Sequence, residues 1–189
     1  MKTADRLLDA AQDIIQRQGY NAMSFDDVAK MVGIKKPSIV HHFPTKAALG
    51  KAVIQRYREM FGQALAGILA QPDQDLRQAL EFYFGPFLEL DEKGNSICLC
   101  GSLAGEFGAL PDAIRTEVGL FFVDHQTWLT LILKRGAEEG IFQLSGQPNQ
   151  HACLILSALQ GALIVSRATA APHYVQQIAD LLKKGLVGT

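Results

Sequence analysis

Only three cysteines, Cys98, Cys100 and Cys153, stand among the 189 residues. So few, and an odd number, give no disulfide framework. Folding must rest on a buried core, and this length supplies one for a single domain or for a small domain joined to a larger one. Convincing strand alternation is missing, as are low-complexity tracts and internal repeats. So are the GxSxG, P-loop and HExxH patterns that mark common catalytic sites. No CxxC or HxxxH spacing is present to hold a metal tightly. A metal sensor would have to draw on the scattered Cys98, Cys100, His125, His151 and Cys153, which makes that class weak. The chain is expected to be a non-enzyme with no catalytic residue, no metal and no cofactor.

Long apolar runs are missing as well. The opening MKTADRLLDAAQD sets Asp5, Arg6 and Asp9 where a signal peptide would need an uninterrupted apolar stretch. No later run approaches the roughly 18 uncharged apolar residues of a bilayer span. The expectation is a cytoplasmic protein without membrane contact.

The net charge of -1 excludes little, but it is unevenly spread. Residues 1–60 hold ten Lys/Arg against six Asp/Glu, whereas residues 61–189 hold eight against thirteen. Within 28–60, Lys30, Lys35, Lys36, Lys46, Lys51, Arg56 and Arg58 face only Glu59. A basic part joined to an acidic one points to a polyanion partner for the basic part.

What is present is helical period. Apolar residues at 7, 8, 11, 14 and 15 make one face of a first helix, with Thr3 as its expected cap and Gly19-Tyr20 as its end. Ser24 precedes a short second helix that carries Asp26 and Asp27 in its first turn and Gly33 at its end. Pro37 suits the first turn of a third helix, which Phe43-Pro44 closes after about two turns. A fourth helix runs from Thr45 to a break at Gln71-Pro72. DQDLRQALEFYFGPFLEL, SICLCGSLAGEFGAL and a long segment opened by Pro111-Asp112 follow as helices, then two more begin at Pro148 and Pro172. The fold class is all-α, about nine helices in total. Residues 1–46 are expected to form a small three-helix domain, and 47–189 a larger helical one.

Two short helices joined by Met31-Val32-Gly33-Ile34, the second with lysines at its start, have the geometry of a helix-turn-helix. In that motif the start of the second helix faces base edges in the major groove, and its neighbours hold phosphates. Lys35, Lys36, Ser38, His41 and His42 are therefore candidate contacts, with Ile39 and Phe43 pinning the inner face. A lone charge is ordinarily a solvated one, but here the charges cluster on one short helix.

Gly19-Tyr20, Ser24, Val28-Ala29, Gly33, Lys36, His42-Phe43 and Lys46 occur in the order and spacing of a DNA-binding domain of the tetracycline-repressor (TetR) family, which residues 5–50 resemble. The resemblance implies a homodimeric, usually repressing, transcription factor released from double-stranded DNA by a small-molecule effector. It implies that Ser24 caps the second helix and touches a phosphate, that Lys36, Pro37 and Ser38 approach the groove, and that His41, His42, Thr45 and Lys46 lie at the backbone or base edges. Val40 departs from the tyrosine usual in that family, and Pro37 from its glycine. A valine cannot donate to a phosphate; contact with a thymine methyl is the available replacement.

In the second part, Phe82, Phe84, Phe87, Phe107, Phe121, Phe122 and Trp128 supply aromatic lining, although most aromatics at helical spacing are simply core. His125 shares a face with Phe121, Trp128 and Ile132 and is the first choice for a polar group in a pocket. The expected effector-contacting set is Phe84, Phe87, Cys98, Cys100, Phe107, Phe121, His125 and Trp128. Ser96–Glu106 resembles a sixth-helix pattern of the same family, including members that sense electrophiles or oxidants through cysteine, so a thiol switch at Cys98 and Cys100 is the alternative to a noncovalent ligand. Residues 150–168 are apolar on most sides, so the last two helices are expected to meet a second copy of the chain.

Overall fold

Nine α-helices and one short 3-10 segment, with no strand, make up the described residues of the computed structural model, which are 2–71 and 73–187. In chain order the helices are α1 (Thr3–Gln18), α2 (Phe25–Val32), α3 (Lys36–His42), α4 (Lys46–Leu69), α5 (Leu76–Lys93), α6 (Leu99–Gly105), α7 (Asp112–Glu138), α8 (Pro148–Thr169) and α9 (Tyr174–Val187). The all-α expectation holds. Two units pack separately: Met1–Met60 with Leu99–Phe121, and Phe61–Cys98 with Phe122–Thr189.

The first unit is assembled from short elements with strong end signals. Ser24 caps α2, its hydroxyl accepting from the Asp27 N–H at 3.2 Å, while the Asp27 carboxylate accepts from the Ser24 N–H at 3.1 Å. This reciprocal box satisfies donors that a helix start otherwise leaves open. Gly33 ends α2 in the left-handed conformation at φ 74, where a side chain would be strained. Thr45 caps α4 by accepting from the Ala48 N–H at 3.0 Å. In α1 the expected cap is displaced by one residue: Thr3 is already helical, and the Asp5 carboxylate accepts from the Lys2 N–H.

The sixth segment differs more from expectation. SICLCGSLAGEFGAL yields an α-helix only over Leu99–Gly105, followed by a 3-10 turn at Phe107–Ala109. Gly101, Gly105 and Gly108 weaken helix continuation there. Cys98 thus precedes the helix and Cys100 is its second residue. At the end of α4, Gln71 lies past the last helical residue, and Pro72 lies outside the described residues. Helix α8 also corrects an expectation, because over 22 residues it is long and apolar enough by composition to cross a bilayer. Its Ala152, Ile155, Leu156, Leu159, Ala162 and Leu163 are buried within the protein, α8 packing on α5 and α9.

Within the second unit, Tyr83 of α5 organises the core. Its ring stacks on Trp128 at 5.4 Å and 11°, with Phe87 at 5.9 Å, and its hydroxyl lies 3.1 Å from Nδ1 of His125. Phe61 packs 5.7 Å from the same imidazole, and the Trp128 indole donates to the Leu65 carbonyl at 2.9 Å. At the other end of the unit the Asp91 carboxylate accepts from the Ser166 hydroxyl and, at 3.2 Å, from the Val175 N–H. It ties α5 to the turn between α8 and α9, where Ala170 and His173 both have positive φ.

Burial lowers the pKa of His125 to about 4, against the opposing field of Asp124. The unfolded chain binds this proton at about 6.5 and the folded chain does not. Its contribution to stability is therefore fully present above about pH 6.5 and is lost as the pH falls toward 4. Urea titrations between pH 4.5 and 7.5 should show the two proteins running parallel above about pH 7, and the wild type losing up to about 1.4 kcal/mol per pH unit more than His125→Gln below about pH 6. Curves parallel over the whole range would place the imidazole in contact with water.

Candidate nucleic-acid interface

Helix α3 has seven residues, of which Ile39 is the only buried one. Lys35, Lys36, Pro37, Ser38, Val40, His41 and His42 are all exposed around it, with Val40 at 44%. Phe43 is half-buried just past the helix, so the inner face expected from the i, i+4 pair is present. Helix α3 packs on α2 and α2 on α1, which leaves the outer face of α3 open along its length. The rings of His41 and His42 meet edge-on at 5.4 Å in the last turn.

The flanking candidates are more committed. The Ser24 hydroxyl is engaged by Asp27 in the capping box and keeps only part of its bonding capacity for another partner. Thr45 is exposed beside Lys46, and the Lys46 ammonium donates to the Asn21 carbonyl at 3.1 Å and lies 4.5 Å over the Tyr20 ring. Burial pulls Lys46 below its ordinary pKa, while the nearby Glu106 carboxylate opposes that shift.

Two features escape sequence reasoning. Lys36 forms an ion pair with Asp26 at 3.1 Å, both largely exposed, so this candidate contact already has a partner within the chain. The acid ten residues earlier read only as a favourable first-turn charge. The basic run also narrows, because Arg56 pairs with Asp9 at 2.7 Å and Arg58 with the buried Glu117 at 2.6 Å. Those two arginines brace α4 against α1 and α7 inside the first unit. Lys30, Lys35, Lys36 and Lys46 remain as the charge nearest α3.

The expected effector set is divided. Phe84, Phe87, Cys98, His125 and Trp128 are buried in the second unit around Tyr83, a residue that sequence reasoning passed over in favour of its neighbours. Phe82, named among the lining aromatics, is 48% exposed. Cys100 and Phe121 are buried in the first unit, Phe121 lying 5.6 Å from Tyr57. Phe107 is 45% exposed in the 3-10 turn and joins neither core. Cys153 is exposed on α8. Among the described residues no group of three or more His, Cys, Asp or Glu side chains converges on a metal position.

Residues 7–53 match the family model described as bacterial regulatory proteins, tetR family. The chain is 25% identical over 162 residues to the HTH-type transcriptional repressor DhaR of Mycobacterium sp. (strain GP1), covering 84% of this chain and 79% of that protein. It is 24% identical over 162 residues to the HTH-type transcriptional repressor NemR of Escherichia coli (strain K12), covering 85% and 81%. Among solved structures, a TetR-family regulator from Agrobacterium tumefaciens superposes with a TM-score of 0.90 at 29% identity, covering 98% of this chain and 97% of that one. A TetR regulator from Legionella pneumophila gives 0.88 at 28% identity, covering 98% of each. The helix-turn-helix geometry and the family match laid over it agree: residues 7–53 form a DNA-binding domain of the tetR family, and the chain is similar to TetR-family transcriptional regulators along nearly its whole length.

Proposed function

We propose that the protein is a ligand-responsive repressor that holds a palindromic operator as a homodimer and leaves it when a small molecule binds. Residues 1–46 read the DNA, and residues 47–189 bind the effector and the second copy. The observation that carries this reading is α3, a helix held by one buried side chain with every other side chain turned outward. Lys35, Lys36, Pro37, Ser38, Val40, His41 and His42 meet the groove, while Ser24, Thr45 and Lys46 meet the backbone at its edges. The effector enters among the aromatic residues around Tyr83 and His125 and prefers the arrangement that does not fit DNA, which is what release requires. Helix α4 carries that preference toward the reading helices.

The second copy is proposed to cover α8 and α9. Leu154, Ile164, Val165 and Leu181 are exposed there. A groove of about 400 Å³ between the two helices is lined by Leu154, Ala158, Ile178 and Leu181, among others. Apolar side chains on two adjacent helices ask for cover. The thiol alternative finds less support, since Cys98 and Cys100 are 2% and 0% exposed and a reagent has no direct path to either sulfur.

Footprinting upstream of the protein's own gene should find a protected palindrome. On that fragment Lys36→Ala should weaken binding about tenfold and reduce the slope of log affinity against log salt by about one; binding indifferent to salt would refute a DNA-reading role for α3. A Cβ at Gly161 meets nothing within 4 Å in the protomer. Gly161→Leu should therefore fold with native helicity yet run as a monomer in sedimentation and lose tight operator binding, and a dimer of unchanged affinity would move the interface elsewhere. In a Cys153→Ser background, which removes the exposed thiol of α8, N-ethylmaleimide should leave the protein on its operator, because the two thiols of the sixth segment are covered. Release that disappears in Cys98→Ser, Cys100→Ser would restore the thiol switch.

A further inference from the structure

Glu106 follows α6 and reaches a turn that lies 86 residues earlier in the chain. Its carboxylate accepts from the Tyr20 N–H at 2.7 Å and from the Asn21 N–H at 2.9 Å, one oxygen to each. From the other side Lys46 donates to the Asn21 carbonyl at 3.1 Å and sits over the Tyr20 ring. The turn between α1 and α2 is thus held by an anion on its N–H groups and a cation on its carbonyl. An uncharged contact of the same shape would hold the turn more weakly, because charge-assisted bonds are shorter and stronger than neutral ones.

The preceding residue is fitted to this grip. Gly19 has φ 91, and a Cβ there would lie 2.0 Å from the Glu106 oxygen, so both backbone and space demand glycine. Ser102 of α6 adds a second tie by donating to the Ile15 carbonyl near the end of α1 at 2.8 Å. All of these groups belong to the first unit.

We propose that Glu106 is a positioning residue for DNA binding: it fixes the Tyr20–Asn21 turn, and through that turn the Lys46 ammonium and the start of α2, where the phosphate backbone passes. The inference rests on the reading of this chain as an operator-binding repressor. An acid near a phosphate-contacting lysine also repels DNA, but water and salt screen that repulsion at an exposed surface. The two N–H groups that would lose their partner are local and directional, so positioning prevails over repulsion.

The test measures operator binding by full-length protein at several salt concentrations for wild type, Glu106→Ala, Glu106→Gln, Lys46→Ala and the Glu106→Ala, Lys46→Ala double variant. Glu106→Ala should weaken binding about tenfold and, like Lys46→Ala, lower the salt slope by about one. Glu106→Gln keeps one acceptor oxygen and should lose about threefold; it carries the test if the alanine variant does not fold. In the double variant the losses should not add, since both act on one turn. Unchanged affinity in the glutamine or alanine variant, a loss at unchanged salt slope, or additive losses would each overturn the proposal. Failure of the wild type to bind any duplex would instead overturn the repressor reading and leave the Glu106 contacts as structural only.

Discussion

A helix of seven residues with one buried side chain cannot stabilise itself. Isolated helices of that length are marginal in water, because nucleation costs more than two turns of hydrogen bonds return. Helix α3 exists because Ile39 is seated and because α2, with a reciprocal cap at one end and a left-handed glycine at the other, is fixed in length and direction. The outward residues of α3 are then free of any packing duty. The side chains that could meet a groove owe their arrangement to residues that meet none.

Charge is distributed by the same division of labour. Arg56 and Arg58 are used up inside the first unit by Asp9 and Glu117, the latter buried and also bonded by Gln55 at 2.8 Å. Such partly buried pairs act as braces more than as sources of net stability, since desolvation offsets much of their attraction. The exposed pair of Lys36 with Asp26 is of another kind, weak and screened.

Much of the first fifty residues was legible because each element announces its ends locally: Ser24, Gly33, Pro37 and Thr45 act within one turn of where they stand. The helical class was legible from period. What escaped is contact at long sequence separation. Glu106 grips Tyr20 from 86 residues away and looked like one more surface acid, and Tyr83 was hidden among brighter aromatic neighbours although its hydroxyl, not their rings, meets His125. The length of α6 was misjudged because three glycines were set against an otherwise helical composition. The division of the aromatic residues between two units had no local signal at all.

The Asp91 carboxylate, bonded to Ser166 and to the first turn of α9, sets the hairpin of the last two helices from within the chain. A hairpin whose angle is set in advance spends little conformational entropy on meeting another surface. In the proposed homodimer two such surfaces join as rigid parts, and their spacing is then a property of the chain itself rather than of the encounter.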